Sequence, residues 1–156
     1  MSRIAHCSCG SLRVETTGEP TVVSVCHCQK CQRRTGSAFS VSAYFKAAQV
    51  RTEGASKVYV REGQEGRKGR GHFCPECGTM VYWERDGMVD HIGVAVGAFA
   101  DPSFPAPVSS IWEESRHPWV EFGHDLRHFP QRGSGRIGED GVHRFSDRPP
   151  AARPTG

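Results

Sequence analysis

The seven cysteines of this 156-residue chain fall into three tight clusters, and none stands alone. The clusters are Cys7 with Cys9, then Cys26, Cys28 and Cys31, then Cys74 with Cys77. An odd number of thiols cannot all pair as disulfides within one chain, and such close spacing is typical of metal ligation. The pattern therefore predicts metal binding, and zinc suits a site built from several thiolates.

The spacing within each cluster lets neighbouring sulfurs share one ion. Residues i and i+2 of an extended strand point to the same face, so Cys7 with Cys9, and Cys26 with Cys28, can each present two sulfurs on one side. Residues 74–78, Cys-Pro-Glu-Cys-Gly, form a zinc knuckle in which a tight turn brings two thiolates together. Tetrahedral zinc places its sulfurs about 3.8 Å apart, which each of these pairs can reach.

Seven ligands divide naturally into four and three, which predicts two zinc ions per chain. A closed four-thiolate site is structural, whereas three protein ligands leave one position for water or substrate. The spacing permits another division, in which Cys28 and Cys31 join Cys74 and Cys77 in a ribbon-type site and leave the other three cysteines. The 42 residues between those two pairs exceed the usual gap.

Short runs of β-type residues recur between turn signals along the chain. They span Leu12 to Glu15, Thr21 to Val25, Val41 to Phe45, Lys57 to Arg61, Met80 to Glu84 and His91 to Val96. One helical turn is expected at 29–34 and another at 98–101, but no long amphipathic pattern is present. The sequence predicts a mainly β fold of short antiparallel sheets with short helical turns.

The length of the chain fits a single domain. From residue 131 onward the sequence is rich in Gly, Arg and Pro and offers few apolar side chains for a core. We therefore expect a zinc domain over residues 1–130, followed by a flexible Gly/Arg/Pro-rich tail over 131–156.

The charge pattern and the apolar content limit which binding partners and which cellular compartment we expect. The formal net charge is only +3, with acidic residues interspersed among the basic ones, so we expect no nucleic-acid partner. Arg67, Lys68 and Arg70 could contact phosphates, but a solvated hairpin is the favoured interpretation. No apolar run reaches the roughly 18 residues of a membrane span, and none follows Met1 as in a secretory leader. We expect no membrane partner, a cytoplasmic location and reduced cysteines.

Three motifs in order resemble the glutathione-dependent formaldehyde-activating (GFA) family, and the centromere protein V-like zinc domain related to it. They are Cys7-Ser8-Cys9-Gly10, residues 26–39 (CHCQKCQRRTGSAF) and residues 73–79 (FCPECGT), followed by Gly97 and residues 115–119 (SRHPW). The resemblance covers roughly residues 4–130 and implies a zinc-containing β-tent. It also implies that Cys7, Cys9, Cys74 and Cys77 hold a structural zinc, and that Cys26, Cys28 and Cys31 hold the second.

The second cluster suggests chemistry on a thiol. Zinc with three thiolates carries a formal charge of −1, which disfavours hydroxide chemistry and suits exchange of a soft thiol. A glutathione-like thiol that enters there could add to a small aldehyde and form a hemithioacetal. This agrees with the carbon–sulfur lyase activity, of the S-(hydroxymethyl)glutathione synthase type, that the resemblance implies. Cys26, Cys28 and Cys31 are then the catalytic cluster.

Basic and polar residues near that cluster are candidate substrate contacts. Lys30, Arg33 and Arg34 could receive the carboxylates of glutathione, although a solvated basic turn is the alternative. His27 lies between two ligands and would point away from them in a strand, which suggests either a polar pocket residue or a surface histidine.

A later group of residues could line the same site. Trp112, Trp119 and Arg116 could provide an aromatic wall and a cation, while buried packing is the alternative for both tryptophans.

A function of another class is a non-catalytic zinc-binding β-tent module, since a fold does not establish a reaction. The three-cysteine cluster favours the enzyme, because a pure scaffold does not require an open site.

Overall fold

A computed structural model describes residues 1–63 and 66–131, together with the backbone of two short strands at 135–137 and 143–145. The strands are β1 (Ser2–His6), β2 (Arg13–Thr17), β3 (Val22–Cys26), β4 (Ser40–Lys46), β5 (Val50–Glu53), β6 (Lys57–Glu62), β7 (Lys68–Phe73), β8 (Met80–Arg85), β9 (His91–Ala95), β10 (Ser109–Ile111), β11 (Arg127–Phe129), β12 (Gly135–Ile137) and β13 (His143–Phe145). The helix α1 spans Gln29–Thr35, and 3₁₀ turns span Ala47–Gln49, Val96–Phe99 and Glu113–Ser115.

The strands form two larger sheets and one hairpin. The first sheet has the order β1-β2-β5, and the second has the order β11-β10-β3-β4-β9-β8-β7-β6. Strand β10 runs parallel to β3 and β11, while the other pairings are antiparallel. The mainly β fold predicted from the sequence is confirmed.

The six strands predicted from the sequence correspond to β2, β3, β4, β6, β8 and β9, with ends that differ by at most two residues. The helical turn expected at 29–34 is α1, and the turn expected at 98–101 is displaced to Val96–Phe99. Strand β7 was not predicted from the sequence, because its residues, KGRGHF, include two glycines, which weaken a strand pattern.

The main core joins side chains from both sheets. Val14 of the first sheet and Leu12, which directly precedes β2, belong to one buried cluster with Phe45, Val81 and Val94 of the second sheet. All five side chains are fully buried, so each contributes about 1.5–3 kcal/mol of hydrophobic stabilisation. This cluster fixes how the smaller sheet lies against the larger one.

The opposite face of the larger sheet carries a second buried cluster. Val22, Tyr44 and Trp83 pack together there, and Cys26 shares the side of Val22 because alternate residues of β3 face the same way. The guanidinium of Arg34 on α1 lies 4.5 Å from the ring centre of Trp83. Helix α1 therefore covers this face, next to the second cysteine cluster.

The segment from residue 131 is described only in part. Strands β12 and β13 pair antiparallel within it, and Gln131 O accepts a hydrogen bond of 3.1 Å from Trp112 N. Most other residues of the expected flexible tail lie outside the described residues, and its mobility stays a prediction. In the described part of the chain, no helix has the length and apolarity that a membrane crossing requires.

Gly93 of β9 offers a test of the packing around Trp83. A Cβ at this position would lie 2.1 Å from Nε1 of Trp83. We expect Gly93→Ala to displace the indole and lower the free energy of unfolding by about 1–3 kcal/mol, as overpacking does. Gly97→Ala is the matched control, because nothing lies within 4 Å of its added Cβ. Denaturant melts of both variants measure the difference, and equal stabilities would contradict this account.

Candidate metal centres

The first cysteine centre joins two turns that lie far apart in sequence. Cys7 and Cys9 lie in the β1–β2 connection, while Cys74 and Cys77 lie in the β7–β8 connection. Cys9 Sγ is 3.5 Å from Cys7 Sγ and 3.6 Å from Cys74 Sγ, and all four sulfurs lie within 4.8 Å of one another. These separations approach the roughly 3.8 Å between sulfurs of a tetrahedral zinc site. The four thiols could hold one ion.

Local backbone structure orients these thiols. Gly78 N donates to Cys74 O at 2.9 Å, and the positive φ of Gly78, 74°, lets the chain reverse after the second cysteine. In the other turn, Leu12 N donates to Cys7 Sγ at 3.2 Å. The hydroxyl of Ser11 lies 3.0 Å from Cys9 Sγ and 3.2 Å from Cys74 Sγ. Both turns are therefore supplied with hydrogen bonds to sulfur.

These contacts favour thiolates in part of the cluster. Burial raises the pKa of Cys7, but hydrogen bonds from the Leu12 backbone and from neighbouring side chains outweigh it and lower the pKa to about 7. Hydrogen bonding with the side chain and backbone of Thr79 lowers the pKa of Cys77 to about 5. Thiolates are the form that binds zinc, so this environment suits a metal site.

The second centre is built from one short stretch of chain. Cys26 ends β3, Cys28 is the N-cap of α1, and Cys31 lies in the first helical turn. Cys28 Sγ accepts a hydrogen bond of 3.4 Å from Cys31 N, and the three sulfurs lie within 4.8 Å of one another. Hydrogen bonds from Cys26 and Cys28 lower the pKa of Cys31, and hydrogen bonds with Cys28 and Cys31 raise that of Cys26.

The positions of the cysteine thiols decide between the two ways of dividing the seven cysteines that the sequence left open. The Cys74 and Cys77 thiols lie with those of Cys7 and Cys9, so the ribbon-type division with Cys28 and Cys31 is wrong. Soft thiol donors suit zinc in both centres. In the described residues, no carboxylate or imidazole joins the three-thiol group within the same distance. Metal binding itself, and the number of ions, stay predictions.

The three-thiol centre opens onto a pocket of about 430 Å³. Cys26 and Cys31 are buried, whereas Cys28 is half-buried, and Cys26 and Cys28 both line the pocket. Trp112 lines the same pocket together with Ile111 and Ser115. A ligand in this pocket would therefore lie between the cysteine centre and the loop that follows β10.

Gln32 on α1 holds that loop in place. Its Nε2 donates to His27 O at 2.7 Å and to Ser115 O at 3.0 Å, and its Oε1 lies 3.1 Å from Nε2 of His117. Trp112 has a left-handed backbone with φ of 61°, which is rare for a bulky residue and is held by the surrounding contacts. The loop is thus tied to the helix that carries Cys31.

The predicted basic contacts occupy different positions around the site. Lys30 and Arg33 line this pocket and an adjoining pocket of about 660 Å³, while Arg34 lines only the larger one. Arg116 lines neither pocket, and its Nε lies 2.9 Å from Glu113 Oε2 in an ion pair. The charge of Arg116 is therefore already matched by a carboxylate.

Two expectations about aromatic residues need correction. Trp119 is 70% exposed, so buried packing is wrong for it, and its ring lies 5.5 Å from that of His117. His27 is fully buried, so the surface alternative is wrong. Its Nε2 lies 3.0 Å from Ser110 Oγ, and its ring packs against Phe39 and Phe122. His27 supports the loop from within the protein.

Sequence reasoning missed Gln32 and Arg85. Arg85 lines both pockets but lies one residue beyond the predicted strand, 80–84. Its position two residues after Trp83 was a usable signal, because alternate strand residues share a face. Gln32 had no such signal, since its partners at Ser115 and His117 lie 83 and 85 residues away.

Comparison with known proteins identifies the family of this chain. Residues 2–115 match the family described as "Glutathione-dependent formaldehyde-activating enzyme". The chain belongs to the GFA family. A relative from Penicillium rubens, named "Putative glutathione-dependent formaldehyde-activating enzyme", is 32% identical over 124 aligned residues, and the match covers 72% of this chain and 64% of the relative. The chain thus spans less than two thirds of that relative.

A crystal structure of a Rhodobacter sphaeroides protein is also similar to this GFA family member. The similarity covers 64% of this chain and 91% of the other, with a TM-score of 0.49 and 22% sequence identity.

The two centres should respond differently to loss of one thiol. We expect two zinc ions per chain in wild type, because each cluster supplies enough thiolates for one. Cys77→Ser should lower the melting temperature sharply, since it opens the centre that joins both sheets. Cys28→Ser should release one zinc and leave a folded chain, because its three thiols lie within six residues. Elemental analysis and thermal melts check both expectations.

Ser8→Ala is a matched control for the first centre. It removes the 2.8 Å hydrogen bond between Ser8 Oγ and Thr79 Oγ1, which joins the same two turns without a thiol. We expect its stability loss to stay within about 1 kcal/mol. If Cys28→Ser unfolds the protein while Cys77→Ser melts normally, the assigned roles of the centres are reversed.

Proposed function

We propose that this GFA family member is a zinc-dependent carbon–sulfur lyase that joins a glutathione-like thiol to a small aldehyde, as an S-(hydroxymethyl)glutathione synthase does. The observation that carries the proposal is the three-thiol centre with Cys28 half-buried at the wall of a pocket. A closed structural site would not need an adjoining pocket. The family match and the name of the Penicillium rubens relative support the same reaction.

The reaction requires no oxidant or reductant. The sulfur of the thiol forms a bond to the aldehyde carbon, the carbonyl π bond breaks, and the thiol proton ends on the new hydroxyl oxygen. The product is a hemithioacetal, and the reverse reaction cleaves the same carbon–sulfur bond. The protein therefore needs to bind the thiol, favour loss of its proton and exclude competing water.

Cys26, Cys28 and Cys31 would hold the second zinc, and Cys7, Cys9, Cys74 and Cys77 the structural one. Zinc bound by three thiolates would supply a soft coordination position that suits a thiol better than hydroxide. Cys26 and Cys31 are buried, which keeps two sides of the centre away from solvent. The half-buried Cys28 marks the side from which a substrate thiol would approach.

The groove walls supply charge for an anionic substrate. Glutathione has two carboxylates, and Lys30 and Arg33 line both pockets beside the centre. Arg34 is held over Trp83 in the larger pocket, where its charge faces the same space. These cations would attract the peptide and orient its thiol toward Cys28.

The loop after β10 would close the other side of the bound thiol. Trp112 provides a large apolar surface beside Cys26 and Cys28, and the Gln32 contacts fix the position of the loop. Arg116 would act through its ion pair with Glu113, which anchors the same loop. This wall would keep water away from the aldehyde carbon while the carbon–sulfur bond forms.

A direct test compares glutathione with S-methylglutathione, which keeps the carboxylates but has no ionisable thiol. We expect the zinc-loaded protein to bind glutathione at least tenfold more tightly by calorimetry, because a thioether cannot become a thiolate ligand. Cys28→Ser should abolish that preference. NMR with ¹³C-formaldehyde should show faster hemithioacetal formation with wild type than with Cys28→Ser.

Ser37→Ala is a control for that experiment, since Ser37 is an exposed residue beyond the end of α1. It should bind and react as wild type does. Equal binding of the two peptides would remove the thiol-ligation mechanism. A preference for glutathione without faster adduct formation would favour the non-catalytic zinc-binding module.

A further inference from the structure

The two pockets beside the second cysteine centre share a single wall. Residues that line both are Lys30, Arg33, Arg61, Gly69 and Arg85. Four of these five residues are cations, so the shared wall has a strong positive charge. Because the smaller pocket reaches Cys28 and the larger one extends along β6–β8, the wall marks the route between the thiol centre and the far end of a longer ligand.

Two glycines of β7 line this space, Gly69 in both pockets and Gly71 in the larger one. Gly69 lies opposite Arg85 in the β7–β8 pairing, and Gly71 lies opposite Trp83. A Cβ on Gly71 would lie 2.6 Å from Cε of Met80, so a larger residue would push the Met80 side chain from its place. The glycine at 69 leaves the Arg85 side chain without a neighbour across the strand pair. Arg85 lines both pockets at this point.

Three cations in or beside the groove have partners of their own. Lys30 Nζ donates to Glu62 O at 2.8 Å, and Arg34 lies over the Trp83 ring. Arg70 pairs with Glu84 at 3.2 Å and with Asp86 at 3.0 Å. These contacts hold three positive side chains to groups within the protein.

Like Arg33 and Arg61 of the shared wall, Arg85 differs from these three in its partners. It is half-buried, and it forms an ion pair with no carboxylate among residues 1–63 and 66–131. A half-buried cation without a carboxylate partner of its own favours an anion from outside the protein, because desolvation makes an unpaired charge costly.

We propose that Arg85 is a carboxylate-binding residue of the groove and selects thiols that bear a carboxylate distant from the sulfur. The proposal rests on the function proposed above, and it adds a residue that determines which thiol is accepted. The guanidinium presents a planar pair of N–H donors that matches the two oxygens of a carboxylate. With its carboxylate at Arg85, a peptide lying along the shared wall would have its thiol directed toward Cys28.

The test uses two thiols that differ only in their carboxylates, glutathione and glutathione diethyl ester. Wild-type protein loaded with zinc should bind glutathione about tenfold to a hundredfold more tightly than the diester, the range of a charge-assisted hydrogen-bonded pair. Arg85→Gln should lose most of this preference through weaker binding of glutathione, while its affinity for the diester stays unchanged. Arg85→Lys should retain part of it, because the charge remains but the planar fork is lost.

Arg51→Gln is the matched control, since Arg51 is an exposed residue on β5 of the smaller sheet. It should keep the wild-type preference. Zinc content and melting temperature of Arg85→Gln should equal those of wild type, which shows that the change acts on the ligand. If Arg85→Gln loses zinc, Arg85→Lys takes its place in the test. A preference for glutathione over the diester that is weaker than in wild type would then support the role of Arg85, and an unchanged preference would overturn it.

The outcomes separate this proposal from the reaction. The role of Arg85 would be overturned if Arg85→Gln bound both thiols more weakly by the same factor, or if it kept the wild-type preference. Either result would count even if adduct formation continued. If Arg85→Gln lost the preference while wild type formed no adduct with formaldehyde, carboxylate selection would be supported and the proposed reaction overturned. Failure of wild type to bind glutathione would overturn both.

Discussion

The meeting of the Cys7–Cys9 and Cys74–Cys77 turns is the constraint on which the rest of the structure depends. It brings together sulfurs 65 residues apart in sequence, and it joins the smaller sheet to the β7–β8 turn of the larger one. Closing so long a loop costs conformational entropy, which metal ligation by four thiolates would offset. Because the second turn also sets where β8 begins, it positions Trp83 and Arg85, two residues of the groove.

The second cysteine centre is built on a different physical basis. Cys26, Cys28 and Cys31 lie within six residues, so a strand end and one helical turn assemble them without distant contacts. No long-range closure depends on this centre, and one side of it can therefore stay open to a pocket. What long-range packing adds is the opposite wall, because the loop carrying Trp112 is held against α1 by Gln32.

The groove combines these two arrangements. The larger sheet supplies a floor with glycines at 69 and 71, and α1 supplies the cations Lys30 and Arg33 above it. Positive charge in a partly desolvated cleft attracts an anionic ligand and orients it, while thiols at one end favour a soft donor. A carboxylated thiol satisfies both requirements at once, which links the charge of the groove to the chemistry of the second centre.

The sequence by itself determined the cysteine clusters, the β class, six of the strands and the helix after Cys28. These follow from local rules, since ligand spacing and side-chain alternation act over a few residues. The tertiary structure decided which cysteine clusters lie together, and it placed Trp119 in solvent and His27 in the interior. It also brought Arg85 to the groove. These outcomes depend on strand pairing and loop packing between distant segments, and no local pattern in one sequence encodes such contacts.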